Sequence, residues 1–268
     1  MRVSEIYGRL ILETADSLAP RLKYGRKRSL TDQDALTLIF GLLRTGMQWR
    51  ELNSPHHYTT VLRRFHLWKR EGVFEKAYAQ ALATYQKIKP PKRYCVDSSY
   101  VKNRYGRVGL GRNHTDRGRK ALKLSVVTDD AGVVFGACCH PANRPDVVLL
   151  DDTLRSAFLK LDSIELFADR GYDSKRNRSV CRDNGLKERI FRRKTKTVRR
   201  TNAKRIVVEH TFAWLDQYRR LLLFYEQDPQ TYLSFALLAM GNLLSKRISK
   251  LQSTSLSECT RSSRRRSA

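Results

Sequence analysis

Three carboxylates spread widely along the 268-residue chain have the clearest capacity for chemistry: Asp97, Asp169 and Glu209. Asp169 carries the argument. It closes the stretch IELFADRGYD (residues 164–173), whose first half is a nearly continuous apolar run suited to a strand buried on both faces. Gly171 follows two residues later and permits a sharp turn. An acid at the exit of a core strand is costly unless something pairs with it. A divalent metal shared with Asp97 and Glu209 is the pairing these residue types support, because hard cations take carboxylate oxygens. Two Mg²⁺ ions about 3.5–4 Å apart would activate a water, stabilise a pentacoordinate phosphate and neutralise a leaving oxygen.

The elements that must position these acids are legible in outline. Asp97 stands near the centre of YCVDSSYVK, a strand of alternating type. Glu209 stands in KRIVVEHTFAWLDQYRRL, where Val207, Val208, Thr211, Trp214, Leu215, Tyr218 and Leu222 form a helical stripe able to pack on a sheet. Glu209 lies off that stripe, on the side shared with Arg205, Phe212, Asp216 and Arg220. Its plainer reading is a surface partner of Arg205, four residues earlier.

Charge is the strongest global feature. Lys and Arg number 53 against 26 Asp and Glu, giving a net +27 and a pI near 10.3. An excess of that size favours a polyanion, nucleic acid first, through counterion release and steering. No segment has the roughly 20 apolar residues a membrane span needs. Acidic residues at Glu5, Glu13 and Asp16 exclude a secretion signal. The five cysteines form an odd, irregular set without a CxxC pair, as reduced thiols do. A cytoplasmic, nucleoid-associated protein is expected, nuclear in a eukaryotic host.

Residues 1–88 read as helices. Thr31 caps a helix that runs through Leu42 and Leu43 to a stop at Gly46. A turn then leads to an amphipathic helix over 58–71. Val61, Leu62, Phe65 and Trp68 face inward there, and Arg63, Arg64, Lys69 and Arg70 outward. A third helix follows near 73–86. This layout suits a helix-turn-helix reader of the major groove, or an ordinary three-helix bundle with a solvated charged face. The prolines of KPPKR mark the boundary with a second domain over 92–250. There the segments ALKLSVVTD and VVFGACCH continue a three-stranded meander. A helix over 147–159, the Asp169 strand, a helix over 175–184, a short strand from Lys187 and the Glu209 helix come next. Basic segments flank the acids: residues 102–123 hold eight Lys or Arg and one acid, and residues 187–205 hold ten and one. Arg112, Arg117 and Lys120 in the first, with Arg193, Lys194 and Arg205 in the second, are candidate phosphate contacts. Residues 232–248 read as a further core helix, and 251–268 as a disordered basic tail.

Taken together, the blocks SLTDQDALTLIFGLLRTGMQWREL, FHLWKREGVFEKA, YCVDSS, FADRGYDS, RIVVEHTFAWLDQYRRL and YLSFALLAM resemble DDE-type insertion-sequence transposases of the insertion-sequence-five and insertion-sequence-four superfamily. The likeness covers nearly the whole chain. It implies an α/β fold, a ribonuclease H-like catalytic domain behind a helical DNA-binding domain. It makes Asp97, Asp169 and Glu209 the triad that binds two Mg²⁺ ions, Mn²⁺ being the alternative, and has Arg205 contact DNA or the triad and Trp214 pack behind the helix. The implied reaction frees a 3′-OH at a transposon end and joins it to target DNA. The implied partners are double-stranded DNA, as terminal inverted repeats and target, and a second copy of the chain in a synaptic complex. The chain departs from the family's Tyr-Arg-Glu-Lys signature at Asp216, where a Lys would stand, and has no Tyr near residues 197–201. A regulatory DNA-binding protein without catalysis and a related metal-dependent nuclease are the alternatives.

Overall fold

The computed structural model describes residues 3–18, 29–192 and 199–266, with side chains left aside at 199–205 and 255–266. Among the described residues, α-helices come first: α1 (Glu5–Leu18), α2 (Asp32–Thr45), α3 (Tyr58–Arg70) and α4 (Val73–Ile88). Sequence chemistry sets their ends. The backbone N–H of Asp34 donates to the Thr31 hydroxyl at 3.0 Å to cap α2, and Gly46 closes it in the left-handed region at φ 72°. Gly72, at φ 69°, turns α3 into α4.

The chain then enters the sheet through β1 (Tyr94–Asn103), β2 (Gly111–Asn113), β3 (Arg119–Asp129) and β4 (Val134–Pro141). After α5 (Leu150–Arg155) it adds β5 (Glu165–Ala168), crosses by α6 (Lys175–Asp183) and adds β6 (Lys187–Ile190). Helix α7 (Arg199–Leu215), β7 (Leu223–Phe224) and the long α8 (Pro229–Arg266) complete it.

Among the described residues, seven strands form one mixed sheet. Strands β1, β3 and β4 are the expected antiparallel meander, while β5 pairs parallel with β1 and β6 parallel with β5. The central order β4–β3–β1–β5–β6, three antiparallel strands continued by two parallel ones and flanked by helices, is the ribonuclease H-like arrangement. Short β2 lies against β3 next to β4, and β7 against the far end of β1.

One hydrophobic core runs from α1 through the sheet to α8. Tyr7 of α1 fits over Gly241 of α8, where a Cβ would fall 2.0 Å from the ring, and its hydroxyl donates to the Leu237 carbonyl at 3.2 Å. Phe65 of α3 stacks on Phe235 of α8 with centroids 4.6 Å apart. The helical unit is therefore fastened to the sheet layer through α8.

Four expectations change. The helix expected over 147–159 is a 3₁₀ turn at Asp146–Val148 followed by α5. It stops at Arg155 because the chain beyond it returns to the sheet: Ala157 bridges Gly136, and the Phe158 N–H donates to the Phe135 carbonyl at 2.9 Å. The apolar helix and the tail expected as separate pieces are continuous in α8 as far as Arg266. The stripe on α7 ends with the helix at Leu215, which leaves Leu222 47% exposed. Arg220, expected outside, is buried against Glu226 at 2.7 Å and donates to the Met47 carbonyl at 2.6 Å.

Candidate active site

Strand register brings the two aspartates together. In the parallel β1–β5 pair Tyr94 stands opposite Leu166 and Cys95 opposite Phe167. Two residues further along each strand come Asp97 and Asp169. Asp169 lies just past β5 but keeps extended backbone, φ −74° and ψ 170°, so the alternation continues through it. Residues level with each other on neighbouring parallel strands point to the same face, with backbones about 4.8 Å apart. Each carboxylate is anchored alike: Oδ1 of Asp97 accepts from the Ser98 N–H at 2.8 Å, and Oδ1 of Asp169 from the Arg170 N–H at 2.7 Å. Both side chains are half-buried.

Glu209 arrives on α7, which packs against β1 and β5. The β3–β4 turn clamps that helix. Gly132, at φ 76°, lets α7 approach so closely that a Cβ there would lie 2.7 Å from the Thr211 hydroxyl and 2.8 Å from the Trp214 ring. Thr211 donates to the Gly132 carbonyl at 3.0 Å, and the Arg247 guanidinium lies 4.4 Å over the Trp214 ring from behind. Val208 is buried and Glu209, the next residue, is exposed. Among the described residues no three His, Cys, Asp or Glu side chains stand close enough to hold a metal ion. The structure thus joins the two aspartates and leaves the glutamate on a neighbouring helix. The donor set, hard oxygens with one atom of each aspartate already oriented by backbone, fits a hard divalent cation.

The candidate DNA contacts divide. Arg112 and Lys120 face each other across β2 and β3, and Arg117 sits at the tip of their hairpin at φ 51°; all three are exposed. Like charges directly opposed on a ladder disfavour each other, and a phosphate between them would remove that cost. Asn113 holds the tip in shape, its side chain accepting from the Thr115 N–H at 3.0 Å and its carbonyl from the Gly118 N–H at 2.9 Å. On α3, Arg63 is exposed, but Arg64 and Lys69 are not the outward cations expected. Arg64 is buried in an ion pair with Asp32, and Lys69 donates to Thr231 at 2.9 Å and Asp228 at 3.3 Å. Their charges join α3 to α2 and α8. Arg193 and Lys194 lie outside the described residues; of Arg205 only the helical backbone is described.

Sequence reasoning missed the polar layer behind the aspartates. Arg178 of α6 donates to Asp173 at 2.7 Å and Glu188 at 2.9 Å, holding the turn after Asp169 onto β6. Tyr172 is wholly buried; burial first, then the charges of Asp146 and Asp97, push its hydroxyl well above the usual range, so it stays neutral. The tyrosine of GYD was visible, but not its place beneath the first aspartate.

Two family models match the chain. Residues 88–241 match the family described as "Transposase DDE domain", and residues 11–78 the family described as "Putative transposase of IS4/5 family". A curated relative, the "Putative transposase for insertion sequence element IS402" of Burkholderia cepacia, is 36% identical over 153 residues, covering 54% of this chain and 70% of the relative. Among solved structures, a piggyBac transposase synaptic complex with hairpin DNA aligns over 94% of this chain and 74% of that one at 12% identity and TM-score 0.49. A pre-cleavage Mos1 transpososome aligns over 86% and 82% at 12% identity and TM-score 0.29.

Proposed function

The chain belongs to the transposase DDE domain family of the IS4/5 type, and from that membership we propose that it cuts DNA at the ends of its element and joins the freed 3′-OH to target DNA, with divalent cations held by Asp97, Asp169 and Glu209. One observation supports the reading above others: the parallel pairing of β1 with β5, extended two residues past Cys95 and Phe167, puts Asp97 within β1 level with Asp169 just past β5, each with one oxygen bound by the following N–H.

Mg²⁺, or Mn²⁺ in its stead, supplies Lewis-acid stabilisation of the phosphate and of the oxygens that attack and leave. The chain supplies orientation. Backbone anchoring of Oδ1 on Asp97 and Asp169 fixes both carboxylates before ligand arrives, which is how a site avoids reorganisation during the reaction. Glu209, carried on α7 beside the same two strands, is the third oxygen donor. The β2–β3 hairpin and Arg63 offer exposed cations to the DNA backbone, and synapsis of two element ends would bring two copies of the chain together.

Asp169→Asn tests this. Metal-dependent cleavage of labelled terminal-repeat DNA should fall by roughly 10²–10³-fold or more, as when one electrostatic stabiliser is removed, while DNA retention stays near wild type. Wild-type cleavage by the variant would refute the site. With a supercoiled target present, products cut but never joined would favour the nuclease reading.

A further inference from the structure

Asp146 has no part in the chemistry described so far, yet its carboxylate lies between residues that closely follow each aspartate. Oδ1 accepts from the Ser98 hydroxyl at 2.7 Å, and Ser98 is the residue after Asp97. Oδ2 lies against Gly171, two residues after Asp169; a Cβ on that glycine would stand 3.2 Å from it. Lys123, its side chain 3% exposed, donates to Oδ1 at 3.0 Å and to the Arg144 carbonyl at 2.9 Å. Beneath this, the buried Asn177 amide donates to the carbonyls of Val147 at 2.9 Å and Tyr172 at 2.8 Å. That second tie holds the 3₁₀ turn at Asp146–Val148 to the 3₁₀ turn at Arg170–Tyr172.

Two facts separate Asp146 from the ligands themselves. Successive side chains on a strand point to opposite faces, so Ser98 and the carboxylate bonded to it lie behind the sheet face that Asp97 presents. Ser98 stands opposite Ser125 on β3, and Ser125 shares a 2.7 Å hydrogen bond with Thr153 of α5; this is the face covered by α5. Lys123 also neutralises the carboxylate in place. What Asp146 can do from there is fix a distance: one carboxylate accepts from the Ser98 side chain, just beyond Asp97, and fills the space beside Gly171, just beyond Asp169.

We propose that Asp146 is a positioning residue that sets the separation of Asp97 and Asp169, and with it the affinity of the pair for a divalent cation. The proposal rests on the metal reading above. Outer-layer partners of metal ligands typically cost about 10–100-fold in affinity when removed. Manganese alone is the probe: Mn²⁺ is titrated into the full chain and free ion followed by electron paramagnetic resonance. Asp146→Asn should weaken Mn²⁺ binding about tenfold, and Ser98→Ala, which cuts the link to β1 but keeps the Lys123 pair, a few-fold. Affinity for DNA without metal should not change, and cleavage by both variants should recover as Mg²⁺ is raised. Wild-type Mn²⁺ affinity in Ser98→Ala together with a folded Asp146→Asn of wild-type affinity overturns the proposal. If Asp146→Asn fails to fold, Ser98→Ala decides alone: a few-fold loss supports the proposal, wild-type affinity overturns it. Asp169→Asn run alongside keeps the two readings apart, because wild-type Mn²⁺ affinity in that variant would defeat the metal reading itself.

Discussion

Helix α3 and the β2–β3 hairpin are both basic, and the fold uses their charges in opposite ways. On α3, two of the four cations expected to face outward are committed to the protein: Arg64 to Asp32, and Lys69 to Asp228 and Thr231. On the hairpin, Arg112, Arg117 and Lys120 stand in solvent, two of them opposed across the ladder. A helix packed on two sides has few outward positions, so a cation near its flank is drawn into the packing. Among the described residues no helix packs on the tip of the two-stranded projection, and its cations stay exposed. Basic composition alone does not distinguish structural charge from functional charge; the number of elements packed around it does.

That contrast can be broken most sharply at Arg64. Its side chain and that of Asp32 are 8% and 13% exposed, and removing one partner of a buried pair typically costs about 3–5 kcal/mol. Arg64→Ala should lower stability by that order in urea denaturation, and a change under about 1 kcal/mol would mean the pair is not the tie inferred here. The hairpin should answer in the reverse sense. Arg112→Ala with Lys120→Ala should leave stability within about 0.5 kcal/mol, as surface changes do, and reduce the slope of log affinity for DNA against log salt by about 2. An unchanged slope would remove the hairpin from the DNA interface. Lys69→Ala falls between. Its pair with Asp228 is partly exposed, so the loss should be about 1 kcal/mol or less. Although burial alone would raise Asp228, hydrogen bonds from Thr231 and the charge of Lys69 hold it below the usual range. A depressed acid stabilises above its unfolded value and loses that contribution as pH falls through the folded one, so thermal melts of Lys69→Ala should show a shallower loss in acid.

The smallest effect belongs to His140, outside both basic regions. Burial, then Arg144, lower its pKa from 6.5. The unfolded chain therefore takes up the proton first, and stability complete above about pH 6.5 declines as pH falls toward the folded value, by at most about 1.4 kcal/mol per pH unit. His140→Gln should flatten that part of the melting curve, and an unchanged slope would assign it elsewhere.

Much of the sheet was legible because strands announce themselves locally. Alternation in YCVDSSYVK and the apolar run before Asp169 gave β1 and β5, and Lys187–Ile190 matched β6. The level placement of Asp97 and Asp169 was not written in either strand, since register belongs to the pair. Helix α3 was found by its period and its closing Gly72, but a helical wheel shows one helix and not its neighbours, which is why Arg64 was assigned to the outside. Asp146 was hidden for the same reason. Within NRPD it reads as the entry to a helix, and only the return of the chain puts its carboxylate between the Ser98 hydroxyl and Gly171.

The seating of Tyr7 on Gly241 and of Phe65 on Phe235 bears on how the molecule can be taken apart. Removal of the first 88 residues would strip the cover from α8 and bare Phe235, Leu237 and Leu238, all at 0% exposure in the intact chain. The two halves of the polypeptide should accordingly melt as a single cooperative unit, and a truncated catalytic fragment should aggregate through that uncovered helix unless another surface shelters it.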